Sequence, residues 1–186
     1  MSKFLPHQIN HLELIEELKQ ADPSFPGNPT EVKDVGDLEV PFYPGVHEVS
    51  FDNGSVYYVK NSDGLAKHFV FDDETVCREH LDVYETLRKG GFYHPATRFI
   101  ASAGEHGQRI VAATPCMATV TNMKRRLRNF PQKSYLSQLE VLFSIGSREL
   151  FHGDVFQSRN YGVDDGGKLY YFDLHLFKEI PSPLVK

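Results

Sequence analysis

The run "VHEVSFDNGSVYYVKN", Val46 to Asn61, holds two alternating stretches on either side of Asn53-Gly54. Alternation puts every second side chain on one face of an extended strand, and Asn-Gly supplies the backbone freedom that a hairpin turn needs. An antiparallel sheet is therefore built into the chain. "LEVPF" at 38–42 reads as a strand before the hairpin, and "ATRFIAS" and "RIVAATPC" read as strands around the turn "AGEHGQ". Together they predict an antiparallel set of about five strands.

The periodicity elsewhere is helical. Residues 9–20 carry Leu12, Leu14, Ile15 and Leu18 on one stripe, before Pro23, Pro26, Gly27 and Pro29 break the pattern. In "FDDETVCREHLDVYETLRKGG", residues 71–91, Asp72 and Asp73 can cap a helix that Gly90 and Gly91 end. Val76, Val83 and Leu87 fall on one face with Glu79 among them, and an inward glutamate needs a partner. "TNMKRRLRNF" and the stretch from Ser134 to Phe151 are also predicted helical, the latter capped by Ser134. The chain then closes on a polar loop and the hairpin "NYGV", "DDGGK", "LYYFDL". Strands, a helix, more strands, helices and a final hairpin make an α+β fold.

Composition bounds the function. A chain of 186 residues, 40% hydrophobic and 24% charged, has the length and make-up of one soluble globular domain. Its formal charge of −5 gives no basic footprint for nucleic acid. No apolar run is long enough to span a membrane, and Pro6, His7 and Gln8 interrupt the N-terminal segment where a secretory signal would be continuous. Cys77 and Cys116 form neither a disulfide framework nor a CxxC pair, which fits a reducing compartment. The nine histidines fall in no zinc-ligand spacing and are assigned to surface and packing roles. The basic run "MKRRLRN" reads as a solvated helix face.

The stretch "FHGDVFQSRNYGVDDGGKLYYFDL" sets Asp154 two residues after His152, Asn160 six residues after Asp154, and Asp173 at the end of the last strand. Phosphoryl transfer needs a cation on the nucleotide phosphates, a carboxylate to hold that cation, a carboxylate at the acceptor hydroxyl, and oxygen ligands for Mg²⁺. Lys60, ending "VYYVK", and Glu79, nineteen residues later on the inward helix face, suit the first two. Asp154 suits the acceptor, and Asn160 with Asp173 suits Mg²⁺. The plain alternative for Lys60 and Glu79 is a strand lysine and a helix-turn glutamate with no shared role. Gly45 in "FYPGVHEV" is the candidate for a backbone approach to phosphate. Lys67 in "LAKHFVF" would replace Lys60 if "DNGS" were the phosphate loop.

"HGD", "RN", the hairpin and "FDL", with "YYVK" and "CREHLDVYETLRKGG" upstream, resemble the protein-kinase-like superfamily, which includes aminoglycoside and lipopolysaccharide-core kinases. In size and in the wording of its loop the chain is most similar to the HopBF family, minimal kinases delivered into host cells by type III secretion. The resemblance spans about residues 40–178. It implies a minimal two-lobed kinase fold in one domain. Residues 1–30 would form a helical arm, 31–114 an N-lobe of antiparallel sheet plus one helix, and 115–186 a reduced helical C-lobe with the catalytic loop. It further implies an ATP- and Mg²⁺-dependent Ser/Thr protein kinase, monomeric, acting on a host protein, the chaperone HSP90. The location implied is the cytosol, or the host cell after secretion.

The sequence departs from the kinase pattern in four ways. One extra residue separates Asp154 from Asn160 and must be absorbed as a bulge, or Gln157 or Ser158 would take over part of the asparagine's role. Gly153 replaces an arginine that reads a phosphorylated activation loop, so such control is not expected. Phe156 stands where Ser/Thr kinases carry a lysine, leaving Arg159 as the nearby cation. Only thirteen residues follow Asp173, too few for a peptide-binding platform of the usual kind. These departures keep two other readings open, a small-molecule kinase of the aminoglycoside-phosphotransferase type and an inactive kinase-like binding module.

Overall fold

The computed structural model describes residues 6–25, 27–34, 46–61, 71–104, 107–119, 132–174 and 176–177. The chain divides into two units, Met1–Leu81 with Thr97–Cys116, and Asp82–Ala96 with Met117–Lys186. The fold is α+β.

The first unit is built on a five-stranded antiparallel sheet of β1 (Pro29–Asp34), β2 (Val46–Phe51), β3 (Val56–Asn61), β4 (Arg98–Gly104) and β5 (Gly107–Pro115), in the order β1-β2-β3-β5-β4. The β2–β3 hairpin forms as the alternation predicts, with Val49 opposite Tyr57 and Val46 opposite Lys60. Its loop spans Asp52–Ser55: Phe51 N–H donates to the Ser55 carbonyl at 2.9 Å, and the Asn53 side chain accepts from Ser55 N–H at 2.9 Å. Gly54 sits at φ +82°, a left-handed conformation that a side chain would strain.

Helix α1 (Pro6–Ala21) lays Leu14, Ile15 and Leu18 against Phe25, Val32, Val49, Phe51, Val59, Val111 and Ala113, the core of this unit. It runs from Pro6 rather than residue 9, because proline is tolerated in a first helical turn, whose N–H groups have no intrahelical partner. The Arg98 guanidinium pairs with Asp22 just after α1, and Ser24 donates to the same carboxylate. These bonds, the Ser24 hydroxyl first, hold the Asp22 carboxyl down at about 2.

Two strand expectations change. β1 is Pro29–Asp34, a segment read from sequence as a helix-breaking stretch; proline is compatible with the first residue of an edge strand, where no ladder N–H is needed. "LEVPF", the expected first strand, lies outside the described residues, as does "TNMKRRLRNF".

Helix α2 (Glu74–Lys89) starts where expected: Asp73 caps it, its carboxylate accepting from Thr75 N–H at 2.7 Å. It ends where Phe92 N–H reaches back to the Leu87 carbonyl at 2.9 Å. Helix α3 (Gln132–Phe143) begins before Ser134 and stops short of Phe151, so Ser134 lies inside the helix rather than capping it. Beyond it, Gly146 interrupts the pattern and a 3₁₀ turn covers Arg148–Leu150.

The second unit carries a three-stranded antiparallel sheet of β6 (Ala118–Thr119), β7 (Tyr161–Val163) and β8 (Leu169–Tyr171). Gly162, in the central strand, leaves no room for a side chain: a Cβ there would stand 2.8 Å from that of Met117. Gln138 of α3 donates to the carbonyls of Gly91 and Leu169 at 2.9 and 2.7 Å, tying the helix to β8. Among the described residues no helix is long and apolar enough to cross a membrane.

Candidate functional site

The β7–β8 hairpin sets the frame. Asp164 accepts Lys168 N–H on its carboxylate at 2.8 Å, and the turn closes with Gly167 N–H on the Asp164 carbonyl at 2.9 Å. With Tyr161 opposite Tyr171, the hairpin opens toward Asn160 on one side and Phe172 on the other. Phe172 N–H donates to the Asn160 carbonyl at 3.1 Å, so Asp173 follows directly on a residue bonded to Asn160.

The loop from Phe151 to Asn160 is held at its start by the chain that follows Asp173. Phe151 bridges Phe177 antiparallel, and His152 N–H donates to the Leu176 carbonyl at 2.7 Å. Two consecutive 3₁₀ turns then cover Gly153–Phe156 and Ser158–Asn160. A 3₁₀ turn repeats every three residues, and Gln157 N–H bonds the Asp154 carbonyl while Asn160 N–H bonds the Gln157 carbonyl, each at 3.0 Å. The extra residue is absorbed in these turns rather than in a bulge. The Asn160 amide nitrogen donates to the Asp154 carbonyl at 2.9 Å, leaving its oxygen as the atom suited to a cation.

The Asp154 carboxylate sits among polar groups of the same loop. Its Oδ1 accepts Gln157 Nε2 at 2.7 Å and Arg159 Nη2 at 3.2 Å, while His152 Nδ1 lies 3.6 Å from Oδ2. Gln157 thus serves the aspartate and leaves Asn160 its own place. His152 Nδ1 also accepts Asp154 N–H at 3.3 Å, a bond that holds the loop.

Asp173 is fixed from both sides. Its Oδ1 accepts Leu174 N–H and its carbonyl accepts the Tyr93 hydroxyl, both at 2.8 Å. Asn160 and Asp173 offer an oxygen donor set, which suits a hard cation such as Mg²⁺. Among the described residues no group of three His, Cys, Asp or Glu gathers. A metal here would have two protein ligands and take the rest of its shell from phosphates and water, the usual habit of Mg²⁺.

In the first unit, Lys60 is buried, 9% exposed, although it stands next to the last residue of β3. Strand alternation turns Val59 to the α1 side and Lys60 to the other face, which it shares with its cross-strand neighbour Ala112. Glu79 is half-buried on α2 and, among the described residues, forms no ion pair. The expected Lys60–Glu79 pair is therefore not made in this structure. Gly45 and Lys67 lie outside the described residues. No protein-family model matches the chain, and no curated protein matches it.

Sequence reasoning missed the tyrosines. Tyr161 and Tyr135 hydroxyls donate to the carbonyls of Val155 and Phe156, each at 2.8 Å, and Tyr84 donates to the Leu174 carbonyl at 2.5 Å. With Tyr93 they clamp both the loop and the Asp173 segment. Burial pushes the phenols of Tyr93, Tyr161 and Tyr171 far above their usual range, so the hydroxyls stay protonated as donors. The one signal available from sequence is the run of Tyr and Phe along "LYYF", and strand alternation gives such a run a buried face but no hydrogen-bond partners.

Proposed function

We propose that the chain is an ATP- and Mg²⁺-dependent phosphotransferase of kinase-like fold, acting on a Ser/Thr hydroxyl of a protein. The observation that carries this reading is the bonding of Asn160: its side chain holds the Asp154 carbonyl and its own carbonyl takes Phe172 N–H. One residue thereby draws the proposed acceptor carboxylate and the proposed metal ligand Asp173 into one constellation. Asp154 orients the acceptor hydroxyl and takes its proton as the oxygen attacks the γ-phosphorus. Lys60 places an ammonium on the phosphates. Asn160 and Asp173 would hold Mg²⁺, which supplies charge neutralisation on the phosphate oxygens when bound. Glu79 is assigned to support Lys60, which requires an ion pair that this structure does not contain. The protein acceptor, the host chaperone HSP90, and delivery by type III secretion rest on the resemblance to the HopBF family alone.

A second reading, a small-molecule kinase, is favoured by one observation. After Asp173 the chain returns along its own loop, with Leu176 and Phe177 bonded back to His152 and Phe151, rather than leading away as a peptide platform. Incubation with γ-labelled ATP, Mg²⁺ and a eukaryotic lysate separates the two. Labelled protein supports the first reading, a labelled small molecule supports the second, and no label contradicts both. Asp154→Ala should lower turnover by about 10³-fold with nucleotide affinity nearly intact. Retained turnover would remove Asp154 from the chemistry.

A further inference from the structure

We propose that Arg159 is the cation that meets the phosphoryl group in flight, an inference that rests on the phosphotransferase reading above. A transferring phosphoryl carries negative charge on its equatorial oxygens, and a guanidinium aimed at them lowers the barrier. Position 156, where the sequence lacks a cation, cannot supply one here. The Phe156 ring stacks on Phe143 with centroids 6.2 Å apart, and the Arg148 guanidinium lies 5.1 Å over its face. Both side chains are committed to packing. Arg159 is differently placed: its side chain is 58% exposed, yet its Nη2 stands 3.2 Å from Asp154 Oδ1. It reaches solvent and touches the carboxylate that would receive the acceptor.

The loop's extra residue makes this possible. The two 3₁₀ turns give Asp154 a second donor on the same oxygen, Gln157 at 2.7 Å. Gln157 is thus a positioning residue that keeps the carboxylate oriented when Arg159 leaves it. The exchange follows from charge. The acceptor oxygen bonds to the γ-phosphorus, and the bond to the bridging oxygen breaks with its electron pair staying on the nucleoside diphosphate. The hydroxyl proton passes to Asp154. As that proton moves toward Asp154, the carboxylate's hold on the guanidinium weakens while negative charge builds on the phosphoryl oxygens, so Arg159 turns to them within the transition state. Arg159 forms no covalent bond and exchanges no proton, its guanidinium acting through charge alone.

The test uses the full chain with Mg²⁺, γ-labelled ATP and eukaryotic lysate as the source of acceptor. Arg159→Gln should lower kcat by about 100-fold with the KM for ATP within about twofold and an unchanged thermal midpoint. Arg159→Lys should recover about tenfold of that loss, and added guanidinium ion should restore turnover in Arg159→Gly but not in Asp154→Ala. An active wild type whose kcat is unchanged by Arg159→Gln overturns this proposal and leaves the phosphotransferase reading standing. Equal loss of kcat and of thermal stability, without recovery by lysine, would make the residue merely structural and also overturns it. A wild type that labels nothing overturns both.

Discussion

The two units solve the same problem, burying a core beneath a small sheet, with different side chains. The first is largely aliphatic, Leu14, Ile15, Leu18, Val32, Val49, Val59 and Val111 closing against one another. The second is aromatic, with Phe92, Tyr93, Tyr161 and Tyr171 in mutual ring contact at centroid distances of 5.1–6.3 Å. Aliphatic groups fill space and have nothing to say to the backbone. A buried tyrosine must find an acceptor for its hydroxyl, and in the second unit these acceptors are carbonyls of irregular chain. The difference teaches that the aromatic core also serves as the hydrogen-bonding scaffold of segments that have little sheet or helix to hold them.

The comparison breaks hardest in the aliphatic unit. Leu18→Ala removes a fully buried side chain and should cost about 3 kcal/mol, read as a lowered denaturant midpoint at unchanged slope. A loss below about 1 kcal/mol would mean that α1 is not part of a tightly packed core. Tyr93→Phe should cost less, about 1.5 kcal/mol, since the ring remains and only the bond to the Asp173 carbonyl is lost. If the aromatic unit scaffolds the site, this variant should weaken Mg²⁺-ATP binding more than Leu18→Ala does at a temperature where both are folded. Equal binding in the two would sever core chemistry from site geometry.

The sheet was legible because alternation and the Asn-Gly turn are local signals: β2 and β3 fall where the sequence places them. The Pro29 strand was not, because proline as a breaker and proline opening an edge strand look alike until the neighbouring strand is known. The order of Asp154, Asn160 and Asp173 was legible in the site, and so was the surplus residue. Its solution in two turns was not, since 3₁₀ pairing depends on which carbonyls are already taken. The partners of the tyrosine hydroxyls were unreadable for a further reason. Tyr93 and Asp173 meet across most of the second unit's sequence, and no periodicity encodes such a pairing. For Glu79 the sequence names a partner, Lys60, that the structure does not bring to it.

The smallest effect is on pH. Burial against Phe71, at 5.0 Å between ring centroids, pushes the His80 imidazole below its usual 6.5. The folded state then binds that proton less readily than the unfolded chain. The stability it contributes is complete above the unfolded value and is lost as pH falls through the lowered one. Urea unfolding at acidic and neutral pH should show wild type weakened by about 1 kcal/mol or less, with part of that loss missing in His80→Phe. His94, also pushed down by burial, adds a loss of the same sign from the second unit, so the quantity to read is the difference between variant and wild type. An equal acid sensitivity in both would show that His80 is not held neutral.

The bond from His152 N–H to the Leu176 carbonyl closes a ring in the chain. The 23 residues between them return to their starting point, and the entropy of gathering Asp154, Asn160 and Asp173 is that of closing one modest loop. Their mutual geometry is a short-range property of contiguous sequence. A segment of that kind can order early in folding, and the tyrosines outside the ring, Tyr84, Tyr93 and Tyr135, then have only to fasten a shape that already exists.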